Sequence, residues 1–426
     1  MISWVLFILF FIFLFLGVPI AISLGVSTVI VAILYEFPIQ MFPIVMYASS
    51  AKFTLLAIPF FILAGIIMEY AGISRRLIKF ANVLVGHMHG GLAIVTVIVA
   101  CFFAAISGSG PATVAAIGTI LIPAMNEKGY DKGFSSALLA SAGNVGIIIP
   151  PSIAFVVFGV LAEVSITKLF IAGIVPGFLL GLGLIITSFF LLRKEKNLVK
   201  TKKSNPKEIL FALKDAFWGL MTPIIILGGI YGGYVTPTEA AGTAVIYGLI
   251  VGFFIYKEIK IKDIWKIMVD ASVSSAVVMF IIANASVFAW LLTTGRIASS
   301  IAQGLIAFNA NKYVLLLLMN VMFLIAGCFL DAASAYYIFV PILLPIVYKL
   351  GIDPIVLGVF MTMNLAIGMA TPPVGLNLFV ACNISGVTLN EISRKVVPFL
   401  LVSIIVLMFV TYIPAISLFL PNLLGL

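Results

Sequence analysis

A chain of 426 residues that is 63% hydrophobic and 9% charged, with a mean hydropathy of +1.29, lacks the polar surface of a soluble protein and reads as an all-α polytopic membrane protein. Its net charge of +9 does not point to nucleic acid, because nineteen of the 24 lysines and arginines gather in loops that one alternating topology puts on a single face. By the positive-inside rule that face is cytoplasmic.

Residues 1–35 are one apolar run interrupted at Gly17-Val18-Pro19, enough for two closely joined helices. The first sixteen lack a basic leader and a small-residue cleavage site, so a retained helix is expected. A loop with Pro38 and Pro43 is expected from Glu36 to Ala51, followed by a span from Phe53 to Tyr70. The stretch Gly72 to Phe80 mixes apolar and basic residues at near-helical spacing and predicts an amphipathic connector in the cytoplasmic interface. His87 and His89 have no third ligand nearby and read as part of a turn.

The next apolar run breaks at Ile106-Ser107-Gly108-Ser109-Gly110-Pro111-Ala112-Thr113, and a later one breaks at Leu330-Asp331-Ala332-Ala333-Ser334. Irregular backbone inside a bilayer is tolerated only where protein or a water-filled cavity covers it. Both breaks therefore predict the tips of re-entrant helical hairpins. Two further spans must be broken helices, at Gly143-Asn144-Val145-Gly146 with Pro150-Pro151 and at Gly368 with Pro372-Pro373.

Pro123 and Pro345, Gly129 and Gly351, Asp131 and Asp353, Gly146 and Gly368, Pro150-Pro151 and Pro372-Pro373, and Pro176 and Pro398 are each 222 positions apart. A constant offset over this length indicates an internal duplication, and counting crossings gives the halves opposite orientation. The expected plan is a first repeat over 1–192, with scaffold helices to 70, connector 71–90, hairpin 91–126, broken helix 134–163 and span 169–192. A basic cytoplasmic linker, 193–215, joins it to an inverted-topology repeat over 216–426. That half holds scaffold helices 216–292, hairpin 313–349, broken helix 355–385 and a last span 396–420.

The offset pairs Ser109 with Asp331, each placed as a helix N-cap at its tip. Two helix N-termini aimed at the midplane would welcome an anion. The arriving half-helices end in carbonyls, at Ile106 to Gly108 and Cys328 to Leu330, which suit a small hard cation such as sodium. Ser107 and Ser109 could be ordinary small-residue packing, but clustering with glycine and proline at matched tips favours a site. A carboxylate at bilayer depth costs about 2.5–3.5 kcal/mol, so Asp331 reads as functional. Asn144 and Thr371 add side-chain oxygens at the broken helices, with Ser152 just beyond one, and Gly146 and Gly368 leave carbonyls free. Arg296 either pairs with a substrate carboxylate or snorkels at the interface. Cys101, Cys328 and Cys382 read as small core residues, and neither a catalytic constellation nor a nucleotide-binding loop is present, so no enzyme, organic cofactor or ATP drive is expected.

These motifs, with Ala57-Ile58-Pro59-Phe60-Phe61-Ile62-Leu63-Ala64-Gly65, Gly72-Ile73-Ser74-Arg75-Arg76-Leu77, Ile149-Pro150-Pro151-Ser152, Thr236-Pro237-Thr238-Glu239-Ala240-Ala241 and Ala370-Thr371-Pro372-Pro373-Val374-Gly375, resemble the large membrane subunit of tripartite ATP-independent periplasmic (TRAP) transporters nearly end to end. The resemblance implies an elevator-type carrier of the bacterial inner membrane, driven by sodium and fed by a periplasmic substrate-binding protein. It also implies a small four-helix membrane subunit, expected here as a separate polypeptide, and a carboxylate cargo such as sialic acid or a C4-dicarboxylate. Thr113 stands where many relatives carry aspartate at the first tip. On this basis Ser107, Asn144, Gly146, Gly368 and Thr371 are expected to form sodium sites, and Ser109, Ser152, Arg296 and Asp331 to line or support the substrate site. The rival readings are a stand-alone, ion-coupled carboxylate carrier, and a membrane scaffold or subunit of an enzyme complex.

Overall fold

The computed structural model describes residues 2–193, 195, 198, 203–300 and 311–425. Lys194, Lys196, Lys200 and Lys202 of the basic linker lie outside the described residues. Among the described residues every regular element is helical, and seven helices are long and apolar enough to cross a membrane, or eight if the bent pair at 132–162 is one span. In chain order the elements are α1 (Ile2–Phe15), α2 (Ile20–Leu34), α3 (Met41–Ser50), a 3-10 turn leading into α4 (Ala57–Tyr70), α5 (Ile73–Val85), α6 (Gly91–Ser107), α7 (Gly110–Glu127), α8 (Lys132–Ile148), α9 (Ile153–Ala162) and α10 (Ile166–Leu192). The second half has α11 (Pro206–Tyr231), α12 (Pro237–Ile250) with a π turn to Ile255, α13 (Ile261–Thr294), α14 (Lys312–Gly327), α15 (Ala332–Lys349), α16 (Pro354–Gly368), α17 (Leu376–Ser385), α18 (Leu389–Tyr412) and α19 (Pro414–Leu423).

Caps in the sequence account for most starts that differ from expectation. Asp131 accepts from Phe134 N at 2.8 Å, and its counterpart Asp353 accepts from Ile355 N at 2.8 Å. Ser165 and Thr388 cap α10 and α18 in the same way, a few residues ahead of the expected spans. The linker expected to reach 215 ends at Asn205, because Glu208 accepts from Asn205 N at 3.0 Å and Pro206 suits the first helical position. The stretch expected as a loop around Pro43 contains α3 instead: Pro43 falls in its first turn, where its missing amide is not needed. The last span divides at Ile413-Pro414 into α18 and α19.

The duplication is visible in the packing. The hairpin α6–α7 packs on α8, and α14–α15 packs on α16. The outer half of each broken helix crosses to the other repeat, so that α9 lies on α15 and α17 lies on α7. Both prolyl pairs, Pro150-Pro151 and Pro372-Pro373, carry a cis peptide bond. Around this interlocked unit, α2 packs on α13 as α12 packs on α4, and α4 and α13 pack together. The first hairpin touches this outer frame through α4 and the second touches it through α13.

The connector helix α5 bridges α6 and α11. Its basic face is not free. Arg76 meets Asp215 at 3.2 Å and Glu258 at 3.0 Å, sits 3.8 Å over the Tyr256 ring, and donates to the carbonyls of Ala71 and Gly72. Burial pushes the Tyr256 phenol above its ordinary pKa, and its hydroxyl donates to Asp215 O at 2.7 Å. In the turn that follows, His89 Nε2 lies 2.8 Å from Leu192 O.

Candidate functional site between the hairpin tips

The first tip is two residues long. Gly108 takes φ +61°, and a side chain there would meet Pro151 O at 2.8 Å, so the α6–α7 turn rests directly on the α8–α9 break. Ile153 N donates to Gly108 O at 3.4 Å. Ser107 Oγ lies 2.9 Å from Thr113 Oγ1, and Thr113 Oγ1 donates to Ser109 O at 2.8 Å. Gly146 backs this group, since a Cβ there would lie 2.7 Å from Thr113 Oγ1 and 3.1 Å from Ser109 O. Ser107, Thr113 and Gly146 are therefore brought together around one carbonyl. Thr113 appears in the sequence only as a departure from a pattern, yet it closes the cluster.

Ser109 is the N-cap of α7 by position, but its hydroxyl does not bond the helix. Ser107 Oγ instead accepts from Ser109 N at 3.4 Å. The Ser109 side chain lines a cavity of about 200 Å³ between the tip and the outer frame. Ile62, Gly65, Ile66 and Glu69, one stripe of α4, form its far wall with Ser274 and Val278 of α13. Gly65 lies against the tip, with its Cβ position 3.4 Å from Ser107 Cα. Glu69 and Ser274 are exposed whereas Ser107 is buried, so the cavity opens at the Glu69 end. Glu69 reads in the sequence as a span-end residue; the signal available was that 62, 65, 66 and 69 share one helical face.

The second tip is longer. Asp331 caps α15, its Oδ2 accepting from Ala333 N at 3.0 Å and Ser334 N at 3.4 Å while Ser334 Oγ donates to Oδ1 at 2.5 Å. Gly327 and Gly368 pack backbone to backbone, and Gly375 N donates to Cys328 O at 3.2 Å. The carbonyls of Gly108 and Cys328, expected free at the tips, each accept from the neighbouring broken helix. Thr371 Oγ1 donates to Ile367 O at 2.8 Å, within its own turn.

Between the tips, Asn377 Nδ2 donates to Asn144 Oδ1 at 3.0 Å and to Ala140 O at 3.2 Å, and also backs Gly110 and Gly143. Asn144 Nδ2 and Asn377 Oδ1 are buried without a partner. Ser152 is fully buried; its hydroxyl donates to Ile147 O at 2.5 Å and accepts from Phe155 N at 3.4 Å, which makes it the cap of α9. Arg296 lies beyond α13, exposed and with φ +54°, and lines neither the tip cavity nor the tips. A larger cleft of about 610 Å³ on the opposite face, lined by Lys52, Glu163 and Thr236 among others, contains none of the tip residues.

Residues 7–416 match the model of the DctM component of tripartite ATP-independent periplasmic transporters. The chain belongs to the TRAP transporter DctM family. It is 45% identical over 405 residues to the C4-dicarboxylate TRAP transporter large permease protein DctM of Pseudomonas aeruginosa, covering 95% of each chain. It is also 45% identical over 416 residues to the isethionate TRAP transporter permease protein DctMQ of Oleidesulfovibrio alaskensis, covering 97% of this chain but 66% of that one. The sialic acid TRAP transporter permease protein SiaT of Haemophilus influenzae is 34% identical over 419 residues, 97% of this chain and 67% of its own. Among solved structures, the YdaH transporter of Alcanivorax borkumensis shares the fold, with a TM-score of 0.65 and 15% identity over 89% of both chains. The permease is thus a multi-pass protein of the inner membrane, a transporter component and not an enzyme. Its family name places it in a tripartite system with other subunits.

Proposed function

We propose that the permease carries a small organic anion inward, coupled to sodium, by movement of the interlocked hairpin unit against the frame built on α4 and α13. The observation that carries this reading is the first tip, where the N-terminus of α7 and the unbonded Ser109 hydroxyl face a cavity between hairpin and frame. A helix N-terminus presents unpaired amides and a positive dipole end, which favour an anionic group there. The cavity of about 200 Å³ is smaller than the roughly 300–1,000 Å³ that encloses a drug-sized ligand, which favours a short acid over a sugar acid.

For sodium, the donor set at the first tip fits a hard cation: two hydroxyls, Ser107 and Thr113, and the Ser109 carbonyl. We assign Ser107 and Gly146 to this position, as the sequence suggests, and add Thr113 to it. Asn144 contributes through the Asn377 pair. Gly368 and Thr371 belong to the second tip, where we assign the second sodium position to backbone carbonyls. Asp331 supports the substrate site by holding the α15 N-terminus. Ser152 supports it by shaping the α8–α9 break rather than by contact. Arg296 is left as an exposed interface residue.

Elevator movement is supported by the division of contacts: among the described residues the two hairpins meet the frame chiefly through α4 and α13, with a smaller contact of α6 on α11, and the connector α5 and the linker after α10 join the parts. The proposed partners are a small four-helix membrane subunit and a periplasmic substrate-binding protein. The test is uptake by proteoliposomes holding the permease and both partners, with labelled isethionate, a C4-dicarboxylate and sialic acid in turn. Uptake that needs an inward sodium gradient and the binding protein is expected; uptake that proceeds without either identifies a stand-alone carrier instead.

A further inference from the structure

The cavity at the first tip has a single charged residue in its lining, Glu69, at its exposed end. Gly65 marks the level of the tip, in contact with Ser107. Glu69 is one turn further along α4, about 6 Å along the axis. The remaining polar groups of the lining are the hydroxyls of Ser107, Ser109 and Ser274. Its acidic neighbour Asp270 is occupied, accepting from the Tyr70 hydroxyl at 3.1 Å. The Glu69 carboxylate has no hydrogen-bond or ion-pair partner among the described residues, so it presents an acceptor and a negative charge to whatever fills the cavity. A short acid whose anionic group sits at Ser109 brings its other end to Glu69.

We infer that Glu69 sets the charge class of the cargo: the permease takes a small organic monoanion with a hydroxyl or ammonium donor at its far end, and rejects a second negative charge there. This rests on the anion-transport reading above and narrows it. A donor at the far end hydrogen-bonds the free carboxylate. A second carboxylate brought beside Glu69 meets a like charge; taking a separation on the order of 6 Å and an effective dielectric near 20, this weakens binding by roughly a hundredfold, reduced toward tenfold by salt at the open mouth. Of the cargoes named for the two relatives at 45% identity, isethionate is a hydroxyl-bearing monoanion and C4-dicarboxylates carry the second charge.

The test is equilibrium binding to the purified full-length permease in sodium buffer, by calorimetry, with isethionate and with succinate as probes. The wild type is expected to bind isethionate at least about tenfold more tightly than succinate. Glu69→Gln keeps an acceptor but removes the charge, and is expected to narrow that ratio about tenfold, chiefly by tighter succinate binding. Succinate binding equal to or tighter than isethionate in the wild type, or an unchanged ratio in Glu69→Gln, overturns the role given to Glu69. Binding of neither anion by either protein overturns the assignment of a short acid to this cavity, and uptake of sialic acid by the same preparation then separates that failure from a failure of the anion-transport reading.

Discussion

Asn377 reaches from α17 to Asn144 on α8, its Nδ2 donating to Oδ1 at 3.0 Å, and so joins the second broken helix to the first. Both side chains are fully buried. Interhelical hydrogen bonds in membranes are worth on the order of 1–2 kcal/mol at most, because polar groups find other partners in the unfolded chain as well. Asn377→Ala is therefore expected to lower the thermal stability of the purified permease by roughly that amount, and Asn144→Ala by a similar amount. The double variant should fall well short of the sum, since each single change already removes the shared bond.

The contact of Gly327 with Gly368 is steric. A methyl at Gly368 would overlap the Gly327 backbone, and one at Gly327 would lie 3.0 Å from Leu365 Cα. Backbone cannot yield as a flexible side chain does. Gly368→Ala is expected to abolish uptake and to reduce the yield of folded protein. Gly242→Ala, in α12 with nothing within 4 Å of its Cβ position, should leave uptake intact and gain a few tenths to about 1 kcal/mol of stability. Size-exclusion profiles and thermal melts of the two variants side by side check this.

The tips and the duplication were legible because a break in an apolar run demands a cover, and because Pro, Gly and Asp recur at one offset. Ser107, Ser109 and Asp331 were placed on that ground. Asn377 was not, since its partner is 233 positions away and only the crossing of α17 onto α8 brings them together. The α3 helix was missed because Pro43 reads as a breaker until the helix start is known to place it in the first turn. Ser152, expected to line or support the substrate site, has its hydroxyl in the α9 cap. Local spacing does not distinguish an N-cap from a ligand contact.

Thr113 tests the first cation position. Its hydroxyl lies 2.9 Å from Ser107 Oγ and donates to Ser109 O at 2.8 Å. Thr113→Val keeps the branched shape but removes one oxygen from the donor set, and Thr113→Ser restores it. The sodium concentration for half-maximal uptake is expected to rise at least several-fold in the valine variant and to return toward wild type in the serine variant. An unchanged sodium dependence in Thr113→Val would place the ion elsewhere.

Arg76 and Arg75 are adjacent on α5 but differ in surroundings. The Arg76 side chain is 17% exposed and bonds both Asp215 and Glu258, whereas that of Arg75 is 65% exposed and pairs with Glu258 alone. Exposed pairs contribute about 0–1 kcal/mol, while a fork that spans two carboxylates and stacks on an aromatic ring is more than a point charge. Arg76→Ala is expected to lower the melting temperature clearly, Arg75→Ala hardly at all, and Arg76→Lys to recover only part of the loss. The Arg75 effect should vanish in high salt, where the better-shielded Arg76 network persists.

Asp331 has two separable properties, a cap and a charge. Its oxygens accept from Ala333 N, Ser334 N and Ser334 Oγ, so removing the side chain uncaps α15 at a cost of about 0.5–2 kcal/mol. Asparagine is as good an N-cap as aspartate but carries no charge. Asp331→Ala is expected to lose both stability and uptake, and Asp331→Asn to keep near-wild-type stability while losing uptake. Ser334→Ala removes only the donor to Oδ1 and should reduce uptake without abolishing it. If Asp331→Asn transports at the wild-type rate, Asp331 is a structural cap alone and the site at the second tip rests on the backbone of Gly327, Cys328 and Gly368.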